Sequence, residues 1–310
     1  MQKRIHGKVK SWLRTVDRRL TKGRLFLLWH GVWGRRYRKI VQMNENPILI
    51  GGCGRSGTSL LLSLLSVHSD IYAVPRETYA FRVNKDGRVD PNGAFQIDLL
   101  YSHFVEDRPP LEKYSRWCEK TPKNIQSAER ILDYFGEGAR FLHIVRDGRD
   151  VVTSTHPSDP TTYWVPPARW VADARAGKVV EKHPHVLTVR YEDLTTDPLS
   201  EMRRICAFLG EPFEEERFRA YPASAQFGTG DFFSSSSLPG NASSEKNASS
   251  EKGEGKNGTR KNESVHTRSI DRWEKKEHAS VVRRLLDHPG AVELLKHYGY
   301  MEKRERRKEG

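Results

Sequence analysis

Between Asn46 and Pro222 short apolar runs alternate with stretches of helical period. PILI (47–50) and FLHIV (141–145) are continuously apolar, the pattern of strands covered on both faces in a parallel sheet. IYAV (71–74) predicts a further strand, and HVLTVRYEDL (185–194) another of the buried kind. SLLLSLLSVH (59–68), AERILDYF (128–135) and LSEMRRICAFLG (199–210) predict helices, the last entered through Asp197-Pro198. This alternation predicts an α/β chain, a central parallel sheet flanked by helices, with ligands at the carboxyl ends of the strands.

Outside that region the pattern changes. Ile5, Val9, Trp12, Leu13, Val16 and Leu20 recur at helical spacing with Lys and Arg between them, so residues 1–45 read as a basic amphipathic arm. The domain proper then covers 46–233 and 266–300, interrupted by a low-complexity insertion at 234–265. That insertion repeats NASSEK, holds almost nothing apolar and is expected to be disordered. Its four Asn-X-Ser/Thr sequons, from Asn241, Asn247, Asn257 and Asn262, follow from an Asn/Ser-rich composition. EHASVVRRLLDHPGAVELLKHYG (277–299) reads as helical, and 301–310 as a charged tail.

Composition sharpens two of these readings. The chain has a net charge of +13, which by itself suggests nucleic acid. Residues 1–40 hold thirteen Lys and Arg against a single acid, Asp17, so +12 of that charge lies in the arm. The body is nearly neutral, and no nucleic-acid module follows the arm. A basic amphipathic arm suits the surface of an anionic membrane, and docking on the domain explains the stripe equally well. The longest candidate span, LFLLWHGVW (25–33), falls well short of the roughly 18 apolar residues that crossing a bilayer needs. Without a secretory leader, and with three widely spaced cysteines, the expectation is a reduced, cytoplasmic protein, peripheral to a membrane at most.

The candidate chemistry begins in PILIGGCGRSGTS (47–59). It approaches the phosphate loop GxxxxGK[ST], but Thr58 stands where the lysine belongs. Gly52, Gly54 and Gly57 allow close backbone approach, Ser56, Thr58 and Ser59 supply donors, and Arg55 is the loop's single charge. Such a loop suits an anion shorter than a triphosphate. A ligand-free turn and a degenerate ATP or GTP site are the competing readings.

The segment FLHIVRDGRDVVTS (141–154) bears on that choice. Arg146, Asp150 and Ser154 there resemble the 3′-phosphate motif of sulfotransferases that use 3′-phosphoadenosine-5′-phosphosulfate (PAPS). The opening loop, residues 54–59, resembles that family's 5′-phosphosulfate loop, Arg55 standing for the Lys or Arg that touches the 5′-phosphate. Tyr191 in VRYEDLTTDP matches a tyrosine near the adenine, and CEKTPKN (118–124) looks like a segment of the carbohydrate and tyrosine-protein branches. TRSIDRWEKK (267–276) resembles the late loop over the nucleotide, with Arg268 and Ser269 as contacts.

The resemblance covers roughly 46–280 and implies the P-loop-containing nucleotide-binding fold. It implies PAPS as co-substrate, no metal, and sulfuryl transfer to a hydroxyl or amine of an acceptor such as a glycan or lipid. By position it makes Glu77 the base, with His103 and His143 as alternatives, and Lys120 the cation near the bridging oxygen. The aromatic stretch 163–177, with Tyr163, Trp164 and Trp170, is expected on the acceptor side or in the core. The alternative is a P-loop kinase or nucleotide hydrolase, in which Asp147 would hold magnesium.

Overall fold

The computed structural model describes residues 21–22, 24–81, 95–156, 159–221 and 269–301. Its centre is a sheet of β1 (Ile48–Gly52), β2 (Ile71–Ala73), β3 (Arg116–Lys120), β4 (Arg140–Val145) and β7 (Val186–Arg190). Their order is β2-β3-β1-β4-β7, and every pairing is parallel. The chain leaves β1 towards one edge for β2 and β3, then crosses to the other side for β4 and β7. β1 is therefore the switch point, where a crevice opens beyond the carboxyl ends of the strands.

Alternate strand residues feed two apolar layers, which is why β1 and β4 read as nearly continuous apolar runs; β3, buried as fully, also carries Arg116, Glu119 and Lys120. Leu49, Trp117, Phe141 and Val186 face one layer, whereas Ile48, Ile50, Cys118, Leu142, Ile144 and Val189 face the other. The second layer is closed by α3 (Thr58–Leu65), α8 (Tyr191–Thr196) and α9 (Pro198–Leu209), through Leu61, Leu194, Met202 and Ile205. The first is closed by α1 (Arg24–Trp29), α2 (Gly34–Met43), α4 (Ile97–Glu106) and α5 (Ala128–Phe135). The arm and the domain thus meet earlier than the sequence suggested. Phe26, Leu27, Val32, Ile40 and Met43 belong to the core, so residues 24–43 are domain structure.

A third cluster joins α6 (Gly148–Val152) and α7 (Pro167–Val180) to α11 (Ala279–Leu286) and α12 (Ala291–His297). The stretch 277–299, read as helical, forms two helices, because His288-Pro289-Gly290 interrupts it. Pro289 lacks the N–H that an unbroken helix needs there, and Gly290 has φ +83°. A two-stranded ribbon, β5 (Thr155–His156) and β6 (Asp159–Tyr163), comes after α6 and has no counterpart in the sequence reading. No helix among the described residues is long and apolar enough to cross a membrane. Residues 1–20, the insertion 234–265, Arg268 and the tail 302–310 lie outside the described residues.

Candidate functional site

The residues singled out from sequence gather at one edge of the sheet. The loop 53–57 follows β1, Glu77 follows β2, Lys120 ends β3, Arg146 follows β4 and Tyr191 follows β7. Each is delivered by the end of a parallel strand, so the sheet fixes their mutual positions.

In the loop, Arg55 has φ +71° and Gly57 φ +93°. A Cβ at Gly57 would lie 2.4 Å from the Tyr191 ring, so only glycine lets that ring close on the loop. Cys53 is buried and hydrogen-bonded to Asp173 of α7, which Gln126 (2.6 Å) and Arg169 also hold. Burial, then the Asp173 carboxylate, push the Cys53 thiol well above its usual range, making it an anchor and not a nucleophile. The Ser56 hydroxyl is buried with no hydrogen-bond partner. α3 opens at Thr58 behind a glycine, with no side chain capping its first N–H groups. Those donors and the positive end of the helix face the same crevice as Arg55, which suits an anion.

The second cradle forms around Arg146, which is 5% exposed. Its guanidinium donates to the Arg55 carbonyl at 3.0 Å and to the Ser269 carbonyl, and it lies 4.4 Å over the Tyr191 ring. Ser269 therefore meets it through the main chain. Arg272, which sequence reasoning passed over although it sits in the quoted late loop, donates to Ser154 Oγ at 2.8 Å. Burial first, and then the Arg146 guanidinium, hold both Arg55 and Arg272 below the ordinary arginine range. Three like charges thus converge, with Asp150 the carboxylate placed among them, 4.0 Å from Arg146.

Asp150 accepts the backbone N–H groups of Asp271 and Trp273, each at 3.0 Å, and so pins the segment carrying Arg272. Burial pushes its carboxyl up to about 6, against the pull of Arg146 and of those two donors. The folded chain therefore holds this proton more tightly than the unfolded chain, whose ordinary value is 3.8. The stability this group contributes is full below that value and declines as pH rises towards 6. Asp150→Asn removes the slope: in urea titrations across this window, wild type should lose roughly 2–3 kcal/mol more than the variant.

The Glu77 and Lys120 side chains meet at 2.7 Å, the lysine 1% exposed and the glutamate side chain 28% exposed. Arg76, which sequence position set beside Glu77, pairs instead with Asp107 at 3.0 Å. Beneath the pair lies fully buried Glu119, also unsuspected from sequence. It accepts Thr78 N–H at 3.1 Å, Thr78 Oγ1 at 2.9 Å, and Thr121 Oγ1 and Asn124 Nδ2 each at 2.7 Å. This carboxylate ties the residue after Glu77 to the residue after Lys120 and fixes the ion pair. Tyr79, two residues on from Glu77, has φ +56°, strained for a bulky side chain.

The alternative bases sit elsewhere. His103 is buried between the Tyr72 hydroxyl (2.7 Å) and Asp107 (2.6 Å), and His143 is buried against Gly177. Burial depresses both to about 4. Trp170 is fully buried and donates to the Arg146 carbonyl at 3.2 Å, so it supports that arginine from the core. Tyr163 and Trp164 remain exposed, with Arg55 5.9 Å from the Trp164 ring. Asp147 caps α6 and pairs with Arg149 at 2.6 Å, leaving it poorly placed to hold a metal. In the cluster His68, Asp70 and Glu211, both ring nitrogens of His68 are engaged, with the Pro212 carbonyl and the Asp70 N–H, and Glu211 pairs with Arg116.

Comparison with known proteins returns one family. The model described as "Sulfotransferase family" matches residues 47–215, which carry the loop, Glu77, Lys120, Arg146, Ser154 and Tyr191. Protein-tyrosine sulfotransferase A of Caenorhabditis elegans is 28% identical over 204 residues, 54% of this chain and 51% of that protein. The protein-tyrosine sulfotransferase of Drosophila melanogaster is 26% identical over 207 residues, 55% and 39% of the two chains. This chain thus spans about half the length, or less, of these relatives. Among solved structures, the sulfotransferase domain from the curacin biosynthetic pathway is 19% identical with a TM-score of 0.40, covering 56% of this chain and 76% of that one. Mouse sulfotransferase SULT7A1 complexed with PAP gives 16% and 0.40, with 56% and 62% covered. With more than half of its length matched, the chain belongs to the sulfotransferase family.

Proposed function

We propose that this chain transfers a sulfuryl group from PAPS to a hydroxyl or amine of an acceptor. The observation that carries this reading is the convergence of Arg55, Arg146 and Arg272, with the Glu77–Lys120 pair at the end of β3, the strand next to β1. The residues fit such a nucleotide. Ser56 Oγ and the Nε atoms of Arg146 and Arg272 are buried without a hydrogen-bond partner. Each such atom costs about 1–3 kcal/mol until something meets it.

Residues 54–59 would take the 5′ end and Arg146, Ser154 and Arg272 the 3′-phosphate, with Ser269 beside it. The Tyr191 ring would flank the base. When bound, PAPS supplies a sulfuryl group on a phosphate leaving group. Transfer of this kind has a loose, charge-separated transition state, so positioning and electrostatics carry most of the catalysis. Glu77 is placed to take the acceptor's proton, and Lys120 to set a cation where negative charge develops. The worm and fly relatives are named for protein tyrosine, which makes a peptide phenol one candidate acceptor beside glycans and lipids.

Titration calorimetry tests the nucleotide. Adenosine 3′,5′-bisphosphate should bind without magnesium, and ATP should bind at least tenfold more weakly, because no loop lysine meets a γ-phosphate. Magnesium-dependent ATP binding tighter than the bisphosphate would overturn the reading in favour of a kinase or hydrolase.

A further inference from the structure

The first two helices carry a surface that the nucleotide site leaves unexplained. α1 and α2 bury Phe26, Leu27, Val32, Ile40 and Met43, and Arg36 donates to the carbonyls of Phe104 (2.9 Å) and Pro109 (3.0 Å). This unit is anchored, so its outer face is held in a fixed orientation. There Leu25, Trp29 and Trp33 are 46%, 65% and 65% exposed. Two indoles and a leucine left in water within nine positions form an apolar patch that the fold itself does not require. Arg24, Arg35 and Arg38 are exposed around them, and residues 21–44 include no acidic side chain.

The shape and charge of the patch indicate its partner. A Cβ at Gly31, on the turn between the indoles, or at Gly34, just after the second, would meet nothing within 4 Å. Both glycines border open space, where a side chain would meet no wall of a pocket. A lipid interface needs no cleft. It accepts tryptophan at the level of the headgroups and draws arginine to lipid phosphates. Residues 1–40 carry +12 of the chain's +13, so the attraction is concentrated at this end.

We propose that the α1–α2 face seats on a membrane surface containing anionic phospholipid. Leu25, Trp29 and Trp33 enter the headgroup layer, and Arg24, Arg35 and Arg38 meet the phosphates. Each cation at such a surface strengthens partitioning roughly fivefold, so arginine and tryptophan variants should lose binding in distinguishable ways.

The test is co-sedimentation of the full chain with sucrose-loaded vesicles, phosphatidylcholine alone or with about one-third phosphatidylserine. Wild type should sediment with the anionic vesicles and not with the neutral ones. Trp29→Ala/Trp33→Ala should lower partitioning roughly tenfold or more at any salt concentration. Arg35→Gln/Arg38→Gln should lower it mainly at low salt. All four positions are exposed, so an unchanged urea-unfolding midpoint in both variants would show an intact fold. Equal binding to neutral vesicles, no binding by wild type, or tryptophan variants that sediment like wild type would each overturn the proposal. So would lipid-free sedimentation velocity in which the tryptophan pair converts a dimer to a monomer, since the face would then belong to a second copy. The readout needs no acceptor and no turnover, so it stands or fails independently of the proposed transfer.

Discussion

Arg146→Ala should weaken binding of adenosine 3′,5′-bisphosphate about 10²–10³-fold, and adenosine 5′-phosphosulfate, which lacks the 3′-phosphate, several-fold at most. The expectation rests on where this guanidinium sits. It is 5% exposed, stacked on Tyr191 and within reach of two other arginines, so a phosphate placed there meets several desolvated charges. Removing one partner of a buried, charge-assisted contact leaves the other uncompensated, which is why such losses exceed those at surface ion pairs. Arg146 also holds the Arg55 carbonyl, so some loss should reach the 5′ side. Arg146→Lys, which keeps the charge but not the forked donor, should fall between wild type and alanine. Calorimetry with both ligands decides the matter. Equal losses would move the 3′-phosphate elsewhere and leave Arg146 as a brace for the loop.

Much of this arrangement was legible in the residues, for a physical reason. Strands covered on both faces are mostly apolar, so β1 and β4 stand out as runs; β3, as fully buried, does not, because its Arg116, Glu119 and Lys120 are buried with partners. The residues at the carboxyl end of each run are delivered to a shared edge, so the loop 53–57, Arg146 and Tyr191 needed no knowledge of tertiary contacts. The hidden residues are those that depend on packing between distant segments. Arg272 enters the site because Asp150 captures two backbone N–H groups of its segment, an event with no local signature. Glu119 looked like one more charge in CEKTPKN, yet it is fully buried beneath the Glu77–Lys120 pair. Trp170 could be assigned to acceptor or core only once α7 was seen to press it under Arg146. At the N-terminus, charge dominated the pattern of residues 1–45 and masked the inward apolar positions of α1 and α2.

Glu77→Gln should reduce turnover about 10²–10⁴-fold while leaving affinity for adenosine 3′,5′-bisphosphate within a factor of about three. The amide keeps the shape of the side chain but cannot take the acceptor's proton. Because Lys120 donates to this oxygen at 2.7 Å, the substitution also loosens the cation. The Glu119 network of Thr78, Thr121 and Asn124 survives it, so the backbone around the site should not move. The effect therefore belongs in kcat and not in nucleotide binding. Raising the pH should not restore the variant, whereas acceptors with more acidic hydroxyls should lose less, since they need less help in losing the proton. A loss shared equally by all acceptors, together with weaker bisphosphate binding, would make Glu77 a structural partner of Lys120. The search for the base would then move to the exposed Tyr163–Trp164 side of the crevice, where the Tyr163 hydroxyl meets His278 at 2.8 Å.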